Sequence, residues 1–284
     1  MYTLNKWADE LAPGVAITPA IHAQHSIIYV AKGSACINGV TTEADSAVHV
    51  EDCLQIRAGS EGATLWRWGL MPAAGRRTGL LTGDGVSSVL RMERRVKMFE
   101  MVPTSKWLFR LDCILEFEGT TGLHSHPGSG IRCLLSGHLR TESEKGENTE
   151  NSNLGDVWYE EGSYPLVSTV DPGLKTTFLR GMILPPEYMK FGETATWIEG
   201  HKAKFAAWKP LMQKAWARGL SAATSAPSWP EVGTKSSSRL GERRRRPCAR
   251  AGSVSTARWA SGRFRFEPSS IQTKSLQQTS RSFA

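Results

Sequence analysis

The chain has 284 residues, of which 40% are hydrophobic and ten are tryptophan, enough for two domains of about 100 residues and an appendage. The formal charge of +8 is uneven: residues 235–284 hold 12 lysines and arginines against 2 acidic residues, which leaves 23 against 25 elsewhere. The basic character therefore lies in the tail, and the rest of the chain is not a basic nucleic-acid-binding domain.

Neither a membrane span nor a disulfide framework is indicated. No apolar run approaches the roughly 18–20 residues that a span requires, and the start of the chain has no apolar signal region. The five cysteines show no short-range pattern. Cys36, Cys113 and Cys133 lie in apolar runs and are expected to be buried reduced thiols. We therefore expect a cytoplasmic protein without membrane contact.

Short apolar runs separated by Gly, Pro, Asn and Asp predict an all-β chain. The runs are 26–31, 64–70, 107–117, 131–135 and 175–184.

The first half also contains a spacing that recurs later. His22 and Gly33 are eleven residues apart, as are His126 and Gly137, which indicates a degenerate internal repeat. Gly69 to Gly85 is interpreted as the connector between the two copies. A strand pair at 88–101 is then expected to open the second domain.

The most informative segment contains His124 and His126, two residues apart and followed by Pro127-Gly128. Side chains alternate along a strand, so both imidazoles lie on one face, where they can bind one divalent transition metal. Further on, Gly155-Asp156 reads as a turn leading into a short strand that ends at Glu160.

These segments resemble the two motifs of the cupin superfamily, over about residues 107–186. His124 and His126 match the first-motif histidines and Gly137 matches the closing glycine, whereas Gly130 stands at the glutamate position. Gly155 matches the start of the second motif, whose last histidine is replaced at about Pro165.

The resemblance implies a two-domain bicupin, with two antiparallel jelly-roll barrels in tandem. It also implies iron, manganese, zinc or nickel inside a barrel. In the degenerate first copy, Ala20 and Ser26 stand at ligand positions, and only His22 remains clearly in place. His25 and His49 are candidates to compensate, or else are ordinary barrel or surface histidines.

Two histidines rarely hold a metal without a third protein ligand. Glu160 is the first candidate, with a solvent-facing carboxylate at a strand end as the alternative. Tyr159, Glu116 and Glu118 are weaker candidates.

Arg132 shares a strand face with Gly130, so it is expected to point into the barrel. A buried guanidinium needs a partner. The partner is either Glu116, Glu118 or Glu160 in a salt bridge, or a substrate carboxylate, which we favour. Trp158 and Tyr159 line the pocket if they turn inward and are core aromatics otherwise.

The predicted organisation is a degenerate cupin barrel at 1–85, a second barrel at 86–195, a short helical segment at 196–220 and a tail at 221–284. Apolar residues at helical spacing, from Phe205 to Trp216, indicate a helix beginning at about Pro210. The Ser- and Arg-rich tail is expected to be disordered. Its basic run at 242–247 is a nuclear-import signal, a nucleic-acid contact or a segment without selected function.

Three hypotheses follow for the function. The first is a metal-dependent enzyme of dioxygenase, isomerase or lyase type that acts on a small carboxylated molecule. The second is a non-catalytic bicupin that binds a small molecule. The third is a regulatory protein whose tail contacts nucleic acid, a partner not otherwise expected. Exposed edge strands favour a homodimer.

Overall fold

The computed structural model describes residues 2–18, 25–51, 53–73, 79–96, 106–190, 193–198 and 207–217. These ranges contain seventeen β-strands and one 3₁₀ turn, Pro186–Lys190, so the all-β prediction is confirmed. Within the same ranges, no helix is long and apolar enough to cross a membrane. The tail at 221–284 and His22 lie outside the described residues.

The first seven strands form one sheet that bends into a barrel. Two long strands, β3 and β6, pair along most of their length, with register shifts near Gly33. One half of the sheet has the order β1-β6-β3-β5, and the other half has the order β2-β6-β3-β4. The strands are β1 (Tyr2–Leu11), β2 (Ala16–Ile17), β3 (His25–Ile37), β4 (Val40–Glu43), β5 (Ser46–Glu51), β6 (Ile56–Pro72) and β7 (Val86–Val96).

The remaining strands form two facing five-stranded sheets with the orders β13-β10-β15-β8-β17 and β12-β11-β14-β9-β16. Without the edge strands β16 and β17, this is the order of an eight-stranded jelly roll. The strands are β8 (Lys106–Phe117), β9 (His124–Ser125), β10 (Gly130–Ser136), β11 (Leu139–Ser143), β12 (Thr149–Asn151), β13 (Val157–Glu160), β14 (Leu166–Thr169), β15 (Thr176–Leu184), β16 (Thr196–Trp197) and β17 (Ala207–Ala217).

The predicted repeat is visible in the backbone of the two barrels. Gly33 and Gly137 stand at the corresponding corner with φ angles of 71° and 88°, a conformation that favours glycine. A Cβ at Gly33 would collide with the carbonyl of Gly62, and one at Gly137 would collide with the carbonyl of Lys175. The two halves are therefore copies of one jelly-roll plan. In the first copy, each of the long strands β3 and β6 corresponds to two separate strands of the second copy.

The largest apolar core lies between the two barrels rather than inside either one. It joins one face of β1, β3 and β6 to the outer face of β8, β10, β15 and β17. Trp68 is fully buried there, lies against Gly181 and donates its Nε1–H to the Ile131 carbonyl at 2.9 Å. Docking of the barrels thus contributes much of the buried apolar surface.

Trp68→Phe is expected to lower the free energy of unfolding by about 2 kcal/mol, because it removes a buried hydrogen bond and part of a filled volume. Chemical denaturation measures this as a lower midpoint with an unchanged slope. An unchanged midpoint would show that the Trp68–Ile131 contact does not hold the barrels together.

The prediction of a helix from about Pro210 is wrong, because residues 207–217 form the strand β17 at the edge of a sheet. Pro210 is tolerated there, since among the described strands β17 pairs only with β8 and its register shifts between Pro210 and Met212. This irregularity lets the consecutive residues Leu211 and Met212 both reach the core between the barrels. An apolar spacing that suits a helix is therefore satisfied by a bulged strand.

The segment at 88–101, which was expected to open the second barrel, instead adds a strand to the sheet of the first barrel. In its described part it is one strand, β7, which pairs with β1 from Tyr2 to Leu11. The predicted domain limits themselves stay predictions.

Candidate functional site

A cavity of about 180 Å³ lies inside the second barrel. Its apolar wall includes Ile114, Phe117, Phe178, Trp197 and Trp208. Its polar wall includes His124, His126, Glu160, Arg180 and Thr194. The predicted histidines and Glu160 therefore meet at one cavity, although they come from β9, the following loop and β13.

Both histidines are buried and held by backbone carbonyls. His124 donates its Nδ1–H to Gly122 O and His126 donates its Nδ1–H to Thr194 O, each at 2.8 Å. The rings stand edge to face with centroids 5.0 Å apart. Histidines that bind a metal usually hold their second nitrogen in this way, which leaves Nε2 for the ion.

Glu160 is the centre of a buried network. Its Oε1 accepts a hydrogen bond from Trp158 Nε1 at 2.9 Å. Its Oε2 lies 2.6 Å from Arg132 Nη2 and 3.2 Å from His126 Nε2. The solvent-facing alternative for Glu160 is therefore excluded.

The electrostatics keep this carboxylate ionised. Burial opposes ionisation, but the Arg132 guanidinium and the hydrogen bonds from His126 and Trp158 outweigh it and hold the pKa of Glu160 well below its usual value. Burial, with a smaller contribution from His126, lowers the pKa of His124 to about 4. His124 is thus a neutral imidazole near pH 7, the form that binds metals.

The residues predicted to bind substrate lie behind the cavity rather than on its wall. Arg132 points inward as expected, but it is completely buried and paired with Glu160, which is the salt-bridge alternative. Trp158 is a core aromatic packed against Phe178. Tyr159 is half-buried against the core between the barrels.

The guanidinium on the cavity wall belongs to Arg180, a residue that the sequence reasoning missed. Asp112 holds Arg180 through two contacts, Nε–Oδ1 at 2.8 Å and Nη2–Oδ2 at 3.0 Å. Asp112 also pairs with buried Arg110 at 2.7 Å, so two cations share one carboxylate. Alternation in the apolar run at 175–184 was the available signal, because Arg180 interrupts it at an inward position.

The donor set fits a metal in part. Nε2 of His126 and Oε2 of Glu160 are as close as two ligands of one ion, and His124 lines the same cavity. However, within the described ranges only His25, His49 and Glu51 bring three ligand atoms within 4.8 Å of one another. Binding at the cavity would therefore require the His124 ring to move toward the other two.

The described interior of the first barrel carries an apolar residue where the second barrel has Glu160. The register places Ser26 opposite Val50, where the second barrel has Gly130 opposite Glu160. Val50 is part of an apolar interior core. The described interior ligand positions thus carry no metal donor set, which agrees with the degeneracy expected for this copy.

The fold is a tandem pair of jelly rolls. No protein-family model matches the chain, and no curated protein matches it. A variant of salicylate 1,2-dioxygenase from Pseudoaminobacter salicylatoxidans in complex with gentisate is 12% identical, with a TM-score of 0.42 and 73% of each chain covered. The oxalate decarboxylase of Bacillus subtilis, with Mn(II) centers, is 14% identical, with a TM-score of 0.43, over 68% of this chain and 71% of that chain. Similarities this low bear on neither reaction nor substrate.

Proposed function

We propose that the second barrel binds a divalent transition metal and that the protein is a metal-dependent enzyme acting on a small carboxylated molecule. The observation that supports this best is the 3.2 Å approach of His126 Nε2 to Glu160 Oε2 at the cavity wall. His126 already donates Nδ1–H to Thr194 O. Because Nδ1 carries the proton given to Thr194 O, Nε2 can join Glu160 only through a second proton on the ring or through a metal ion.

His124, His126 and Glu160 would hold the ion, with water or substrate in the remaining position. A bound metal of this kind supplies Lewis-acid polarisation of a substrate oxygen. Arg132 and Trp158 would keep Glu160 ionised and oriented through the contacts described above.

The substrate class follows from charge and size. Arg180 presents a guanidinium on the cavity wall, which favours an anionic group of the ligand. Trp197 and Trp208 supply apolar walls that would exclude water around the rest of the molecule. The cavity is smaller than the roughly 300–1,000 Å³ of drug-sized pockets, so a small acid is expected.

A non-catalytic carboxylate-binding protein is the second candidate. It is favoured by the closed network around Glu160, since both carboxylate oxygens already have protein partners. In that case Glu160 only holds the buried network together, and Arg180 on the cavity wall alone binds the ligand.

Elemental analysis of tag-free protein separates these candidates. The enzyme proposal expects the His124→Ala/His126→Ala variant to lose about one metal ion per chain relative to the wild type, together with turnover of small carboxylic acids, measured by oxygen uptake and product analysis. His138→Ala is the matched control, because the His138 ring contacts Glu150 and Asp171 outside the cavity. Equal metal content and turnover in wild type and double variant would overturn the proposal. Acid binding without cavity metal would favour the second candidate.

A further inference from the structure

We propose a second metal site at the junction of the two barrels, formed by His25, His49 and Glu51. It lies outside the barrel interior and depends on no residue of the cavity described above. The chemistry of the three donors suits a borderline divalent ion such as Zn²⁺, with water as a further ligand.

Strand register places all three side chains on the outer face of the first barrel. In the pairing of β3 with β5, His25 lies opposite Glu51, and Ile27 lies opposite His49. Ile27 belongs to the core between the barrels. The alternate residues of β5, Val48 and Val50, belong to the interior core. Of the two alternatives for His25 and His49, compensation for the lost interior ligands does not hold, because both side chains lie on the outer face.

The ligand atoms are already close to the arrangement that one ion requires. All three lie within 4.8 Å of one another, and His25 Nδ1 is 3.6 Å from Glu51 Oε1. Ligands about 2.0–2.1 Å from a tetrahedral zinc ion lie roughly 3.4 Å apart. The rings of His25 and His49 already lie side by side, stacked with centroids 5.6 Å apart. Small side-chain rotations would therefore bring the three ligand atoms to the spacing that zinc requires.

His49 provides an independent reason to expect a ligand. Its side chain is completely buried, and neither ring nitrogen has a hydrogen-bond partner among the described residues. A buried polar group in this state is destabilising unless an ion or water satisfies it. Glu51 keeps 29% of its side-chain surface exposed, which gives an ion a route from solvent.

Lys214 links this site to the second barrel. It lies on β17, which pairs with β8, and its Nζ is 3.6 Å from Glu51 Oε1. The ammonium and a metal ion would compete for the same carboxylate. Metal binding would thus exchange the Glu51–Lys214 ion pair for a metal–carboxylate bond at the point where the barrels meet.

The test titrates Zn²⁺ and Co²⁺ into the full chain carrying His124→Ala/His126→Ala, so that the cavity does not contribute. We expect about one ion per chain, with the visible absorption of tetrahedral Co²⁺. We also expect the thermal midpoint to rise with zinc concentration. Adding Glu51→Gln should weaken zinc binding at least about tenfold, and adding His49→Leu should abolish it.

Lys214→Met is expected to have the opposite effect. It should tighten zinc binding by about tenfold, because it removes the ammonium that competes with zinc for Glu51. Circular dichroism checks that each variant is folded. If His49→Leu does not fold, Glu51→Gln still provides the test, because Glu51 is only partly buried. If the His124→Ala/His126→Ala chain binds no ion, this proposal is overturned and the proposal of a metal in the cavity is unaffected. Binding that Glu51→Gln and Lys214→Met do not alter would also overturn it.

Discussion

Arg132→Met is expected to destabilise the protein by about 3–5 kcal/mol, among the largest effects of any single substitution in the second barrel. The guanidinium is fully buried, and its Nη2 lies 2.6 Å from Glu160 Oε2. Removing it leaves the buried Glu160 carboxylate without its main counter-charge, which costs more than the pair itself contributes. Chemical denaturation of purified variants measures the loss.

Two further variants make this prediction specific. Arg132→Met/Glu160→Gln removes both charges and should recover most of the stability, since no unpaired ion is then buried. Arg140→Met is the matched control, because Arg140 pairs with Asp171 at 2.8 Å on the surface and should cost no more than about 1 kcal/mol. Similar losses for Arg132→Met and Arg140→Met would contradict the argument.

The jelly-roll plan could be predicted because its constraints are local. Gly33 and Gly137 mark the same corner, and only glycine tolerates the positive φ angle and the close backbone there. Strand alternation also correctly turned Arg132 inward from the position of Gly130. Such features depend on a few neighbouring residues, so the sequence contains them.

The partners of these residues could not be predicted in the same way. Arg180 and Asp112 meet because β15 pairs with β8, and their separation in sequence gives no sign of it. The segment at 207–217 became a strand because β8 offered an open edge, which apolar spacing cannot reveal. Strand pairing across the sheet therefore places Arg180 on the cavity wall and makes residues 207–217 a strand rather than a helix.

The site at His25 could be predicted only in part. Ser26 was aligned with an interior ligand position, so alternation alone would have turned His25 outward. What the sequence could not show is that this outer face is covered by the second barrel. The side chains of Ile27 and Tyr29 enter the core between the barrels, and His25 lies on the same face.

Lys6→Met is expected to raise the free energy of unfolding by about 2 kcal/mol at pH 7. Lys6 is completely buried between the barrels, and this burial lowers its pKa from 10.5 to about 8. At about 1.36 kcal/mol per pKa unit, burying the charge costs roughly 3 kcal/mol. The ammonium recovers about 1 kcal/mol from the rings of Trp66 and Trp68, 4.7 and 5.1 Å away.

The pH dependence distinguishes this charge effect from simple repacking. Between pH 8 and 10.5 the unfolded chain keeps the Lys6 proton that the folded chain has lost, so wild-type stability gains a contribution that rises with pH. Below pH 8 both states are protonated and the full cost persists. The advantage of Lys6→Met should therefore be constant at pH 6–8 and shrink toward pH 10.5 in denaturation experiments. An advantage that stays the same across this window would mean that methionine simply fits the interface better, with no cost from a buried ammonium.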